Sequence, residues 1–153
     1  MLLRSERQQE DIWDLRRKIS EATKYISFNK KSEDVVVPPC FLTEFLLEIK
    51  EIEQKYGISI ICYGHLGDGN VHVNILNVED ETGFVWEKFQ EQLTRSLFER
   101  TKKFQGALSG EHGIGMTKRP FLKMFLDKQT LALHKKIKKL FDPKKLLNPG
   151  KIW

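Results

Sequence analysis

The sequence holds no run of about 18 apolar residues, so a transmembrane helix is not expected. The opening stretch, Met1 to Glu10, lacks the long apolar core of a secretory signal. Cysteine is scarce. Cys40 and Cys62 form no C-x-x-C pair and sit in apolar surroundings, which predicts buried, reduced thiols in a cytosolic protein. Several chemical signatures are missing as well. There is no G-x-x-x-x-G-K-[ST] phosphate loop, and Gly67-Asp68-Gly69 lacks the strand-to-helix setting of a dinucleotide fingerprint. Ser109 has no G-x-S-x-G elbow, and Asp68 and Asp80 lack the pattern of a calcium loop. No repeat or low-complexity segment occurs.

What is present fits one domain. At 153 residues a chain buries roughly 68–70% of its unfolded surface. The net charge is +5, with lysines gathered late at 135, 136, 138, 139, 144, 145 and 151. Such a cluster would suit phosphate, and a basic nucleic-acid-binding module is one reading. A solvated face beside an apolar helical stripe is the preferred one, so no nucleic-acid partner is expected. The same balance would draw anionic substrates.

Apolar spacing of three and four predicts a helix over residues 8 to 26, through Ile12, Leu15, Ile19, Ala22 and Ile26. Asn29 to Ser32 reads as a polar break. Val35 to Val37 reads as a short strand stopped by Pro38 and Pro39. A second helix runs from Phe41 to Tyr56, with Phe41, Phe45, Ile49 and Ile52 on one side and Gly57 as its stop. Ile58–His65 and Val71–Leu76 read as paired strands. A long helix from Phe84 to Phe104 turns Val85, Phe89, Leu93 and Leu97 inward. Ala107 to Ser109 reads as a short strand, and helices follow over 120–126 and 128–141. This order predicts an α+β fold, an antiparallel sheet with helices packed mainly on one face.

The hairpin carries the first chemistry. Asp68-Gly69 is a tight-turn pair, and counting outward from it places Gly67 opposite Asn70, Leu66 opposite Val71, and His65 opposite His72. Two imidazoles pointing to one face can share a metal ion. The spacing equally fits two polar surface residues at a hairpin mouth. The density of glycine at 64, 67 and 69 favours close backbone approach. A second cluster, Ser109-Gly110-Glu111-His112-Gly113-Ile114-Gly115, offers Glu111 to complete a His-His-carboxylate set, with His112 beside it as a general base. A polar turn is the alternative. A metal-dependent hydrolase would use the same set to activate water.

Gly64 to Asn74, Ser109 to Gly115 and Leu147-Asn148-Pro149-Gly150-Lys151 together strongly resemble the C-terminal substrate domain of FAD-linked oxidases, in the vanillyl-alcohol-oxidase-like superfamily. Glu33 to Pro38 resembles the strand that opens that domain. The glycolate oxidase flavin subunit and D-lactate dehydrogenase are the members it most resembles. The D-2-hydroxyglutarate branch departs from it, with threonine where Ser20 aligns. The likeness runs from about Trp13 to Trp153.

The resemblance implies a ferredoxin-like domain and an FAD-dependent 2-hydroxy-acid oxidoreductase. Such an enzyme converts a 2-hydroxy acid to a 2-oxo acid with hydride transfer to FAD. It implies His65, His72 and Glu111 as ligands of a divalent metal, zinc or manganese, and His112 as the active-site base. It implies Arg16 and Ser20, four apart on one helix face, as holders of the substrate carboxylate. Asn148 and Lys151 fall in a tail that approaches the flavin. Residues 1–153 are then the substrate and metal domain alone. The N-terminal FAD-binding domain is expected to be a separate partner, without which the chain is inactive and binds no stoichiometric FAD. An iron–sulfur electron-transfer subunit is the further partner implied by the glycolate oxidase complex. A cytoplasmic place, peripheral to the inner membrane through partners, follows from the same likeness.

Overall fold

The computed structural model describes residues 5–27, 29–65, 67–77 and 83–153, except for the side chains of 83–85, 87 and 88. The elements run α1 (Glu6–Ile26), β1 (Lys30–Val36), α2 (Leu42–Tyr56), β2 (Ser59–His65), β3 (Asn70–Leu76), α3 (Gly83–Lys103), α4 (Leu122–Phe125) and α5 (Lys128–Phe141). The three strands form an antiparallel sheet in the order β1-β3-β2. The fold is the expected α+β arrangement.

The sheet has two unlike faces because neighbouring side chains alternate along each strand. On one face Val35, Val71, Val73 and Ile75 are buried with Phe45, Ile49 and Ile52 of α2 and Leu93, Leu97 and Phe98 of α3. This is the core. On the other face the paired positions carry Asp34 opposite His72 on β1 and β3, and Tyr63 opposite His72 on β2 and β3. Ser32 and Asn74 continue that polar row and are hydrogen-bonded at 2.8 Å.

Several expectations need correction. Lys30 to Ser32 is strand, not a polar break, because it continues the ladder with Asn74 to Leu76. The strand expected at Ala107–Ser109 reduces to one bridge, Val36 with Ala107. Cys40 is exposed rather than buried. Cys62 packs against the core, and burial, with Glu53 nearby, pushes its thiol up to about 12. The apolar stripe of α1 is real but uncovered: Ile12, Leu15, Ile19 and Ile26 are all exposed, and Thr23 is the buried residue of that helix. Val85, expected inward, lies outside the described side chains. No helix among the described residues is long and apolar enough to cross a membrane.

Candidate metal centre

The hairpin is held differently from the simple turn-centred count. Asp68 N–H donates to the His65 carbonyl at 3.2 Å, Asn70 N–H donates to Asp68 Oδ1 at 3.2 Å, and residues 67–69 form a turn. Gly69 takes φ +75°, and a side chain there would run into the Val37 carbonyl oxygen. The ladder therefore sets His65 against Asn70 and Gly64 against Val71. The expected oppositions of His65 with His72 and of Gly67 with Asn70 are thus offset by two residues, and Leu66 lies outside the described residues. A shift of two leaves every side chain on its original face. The two imidazoles still share the polar face, with ring centroids 5.7 Å apart.

The turn after α3 supplies the rest. Ala107 pairs with Val36 at the edge of β1, which carries Ser109 to His112 over the end of the polar face. Glu111 Oε1 lies 3.3 Å from His72 Nε2, 4.0 Å from His65 Nε2 and 3.6 Å from His112 Nε2. The His112 ring stacks on His72, 5.3 Å between centroids at 21°. One ligand atom from each of His65, His72 and Glu111 falls within 4.8 Å of the others. Two imidazole nitrogens and a carboxylate suit a divalent cation of the zinc or manganese kind. Burial holds the His72 pKa below its ordinary value, with Glu111 and Asp34 opposing, so its ring is neutral near pH 7 and keeps a free lone pair.

Asp34, His72 and His112 also lie within 4.8 Å, but Asp34 Oδ2 already accepts four hydrogen bonds. Oδ2 is thus a structural acceptor, while Asp34 Oδ1 is buried with no hydrogen-bond partner among the described residues.

Arg16 and Ser20 line a cavity of about 270 Å³ together with Tyr63, His65, His72 and Glu111. Arg16 donates to His65 Nδ1 at 3.0 Å. Asn148 and Lys151 are not among the residues lining that cavity. Asn148 sits in the exposed tail with φ +48°, and the Lys151 ammonium lies 3.9 Å from Met116 Sδ. Both residues are exposed. Sequence reasoning passed over Asp34, Lys118 and Tyr63 as parts of the site. The available signal was two acids, Glu33 and Asp34, directly before the valines of a strand.

The description "FAD linked oxidases, C-terminal domain" belongs to a family model that matches residues 1–152. A D-lactate dehydrogenase of Archaeoglobus fulgidus is 42% identical over 78% of this chain and 26% of its own length. A D-2-hydroxyglutarate dehydrogenase of Stutzerimonas stutzeri is 34% identical over 100% of this chain and 33% of its own. The glycolate oxidase subunit GlcD of Bacillus subtilis is 39% identical over 79% and 25% respectively. The chain thus spans a quarter to a third of the length of these relatives.

Proposed function

The chain belongs to the FAD linked oxidases, as a C-terminal domain of that family, and on that premise we propose that it is the substrate-side domain of a flavin-dependent 2-hydroxy-acid dehydrogenase. Its partner in that role is an FAD-binding domain. The observation that carries this reading is the meeting of His65, His72 and Glu111 beside Arg16 in one small cavity. The relatives' names supply the substrate class, since lactate, 2-hydroxyglutarate and glycolate are all 2-hydroxy acids.

A divalent cation held by His65, His72 and Glu111 would supply Lewis-acid polarisation of the substrate hydroxyl, and FAD would take up the two electrons. This chain's residues do the rest. Arg16 and Ser20 bind the carboxylate and set which way the C2 hydroxyl points. His112, exposed and stacked on His72, accepts the hydroxyl proton at a ring nitrogen. The contact between Arg16 and His65 adds a constraint. A guanidinium only donates, so His65 Nδ1 must accept and the ring proton sits on Nε2, the nitrogen facing Glu111. Ligation through Nε2 would require that proton to sit on Nδ1, where it would face the Arg16 guanidinium, so Arg16 would then be available to a carboxylate instead.

The test uses the chain alone and then with a flavin-binding partner. Titration calorimetry with zinc or manganese should give about one ion per parent chain, and His65→Ala should lose it. The complex should oxidise at least one of D-lactate, glycolate or D-2-hydroxyglutarate. Turnover that survives both His65→Ala and His72→Ala would overturn the reading, as would a flavin-loaded complex inert toward all three acids.

A further inference from the structure

The donor side chains of the site come from two places far apart in sequence, the hairpin and the turn at 109–112. One carboxylate joins them. Asp34 lies on β1 directly across from His72 and is fully buried. Its Oδ2 accepts from the Ser109 hydroxyl at 2.9 Å, and from the backbone N–H groups of Gly110 at 3.0 Å, Glu111 at 3.0 Å and His112 at 2.9 Å. Three successive amides converging on one anion form a nest, which fixes the directions in which Glu111 and His112 leave the backbone. The grip is close. A Cβ at Gly110 would come within 2.8 Å of Asp34 Oδ1 and 2.6 Å of Asn70 Nδ2, so only glycine fits there.

The buried charge is itself anchored. The Lys118 ammonium donates to the Asp34 carbonyl at 2.5 Å and lies 3.8 Å from Asp34 Oδ2 and 3.9 Å from Glu33 Oε2. Glu33 in turn pairs with Lys31 at 3.2 Å. An acid this deep would be raised by burial, yet the His112 and Glu111 amides, Ser109 and Lys118 outweigh that and bring it to about 2. Such an arrangement keeps the carboxylate ionised through the whole physiological range.

We propose that Asp34 is the positioning residue of this site: it ties the Glu111–His112 turn to the strand that faces His72, so that the two sets of donors meet. The proposal rests on the metal reading above for its purpose and on hydrogen bonding alone for its geometry.

Two variants of the 153-residue chain test it. Asp34→Asn keeps a carbonyl acceptor but loses the charge, and Asp34→Ala removes both. In Asp34→Asn, amide hydrogen exchange at Gly110, Glu111 and His112 should quicken roughly tenfold while Val73 and Ile75 keep parent rates, since charge-assisted hydrogen bonds are about twice as strong as neutral ones. Cobalt(II) affinity should fall roughly tenfold or more, as when an outer partner of a metal ligand is lost. Asp34→Ala, if it folds, should exceed both effects. Parent-like exchange at 110–112 overturns the proposal. Equal quickening across β3 also overturns it, because that is general destabilisation. A parent chain that takes up no cobalt(II) sinks the metal reading instead, and the exchange rates at 110–112 then decide the role of Asp34 alone.

Discussion

The turn at Ser109–His112 and helix α1 both deliver polar side chains to the same cavity, but they are held in opposite ways. The turn is irregular, yet its backbone is fastened to a buried carboxylate and to the edge of β1. The helix is regular, with Ser5 capping its start, yet Ile12, Trp13, Leu15 and Ile19 stand exposed along it. Regular secondary structure does not by itself make a position rigid. Rigidity comes from buried partners of high sequence separation, and the turn has one in Asp34, although Gly110, Glu111 and His112 are themselves exposed. The donors that must meet within a few ångströms hang from the fastened region. The groups assigned to grip a flexible substrate, Arg16 and Ser20, hang from the looser one.

The sharpest way to break this contrast is through His112. In the flavin-loaded complex, His112→Ala should lower kcat by roughly 10²–10⁴-fold while metal content stays near the parent level. If instead it loses metal as His65→Ala does, the ring is a ligand and the proposed division of roles fails.

A pair of glycine variants compares strength of fastening within the turn itself. Gly110→Ala meets Asp34 and Asn70 and should cost about 1–3 kcal/mol in urea unfolding. Gly113→Ala, at φ +77° with open space around it, should cost about 1 kcal/mol from backbone strain alone. Equal losses would mean that the approach of Gly110 to the carboxylate carries no weight.

Acid titration sharpens the same point. The Asp34 pKa is depressed in the folded chain to about 2 from an ordinary 3.8. Its contribution is therefore fully present above about pH 4 and is lost as the pH falls toward 2. The shift corresponds to about 2 kcal/mol. The stability gap between the parent and Asp34→Asn should narrow by that amount between pH 4 and 2. A gap independent of pH would show that the carboxylate has no preferential hold on the turn.

The smallest effect belongs to α1. Leu15→Ala removes a side chain that is 65% exposed and should change unfolding free energy by less than about 0.5 kcal/mol. A loss of about 2 kcal/mol or more would show that the stripe is covered in solution, and the contrast between the two regions would weaken.

Much of this was legible in the residues. Apolar periodicity located α1, α2, α3 and α5 to within a few residues, because a helix needs one side to be apolar and that need is written locally. The Asp68-Gly69 pair and the flanking β-branched runs located the hairpin, and the density of glycine marked both loops where backbones come close. The histidines could be assigned to one face from the strand period alone. The exact pairing could not, because it hangs on how Gly69 and Val37 meet across the chain.

Local chemistry therefore determined which elements form, which face the histidines take and which residue types could bind a cation. Tertiary structure alone decided the rest. It set the two-residue offset of the ladder, the exposure of the α1 stripe and the conversion of Asp34 from one more strand acid into the anchor of a turn 75 residues away. The reason is physical. A buried charge and a cross-strand register are fixed by groups far apart in sequence, and no local preference of either partner encodes their meeting.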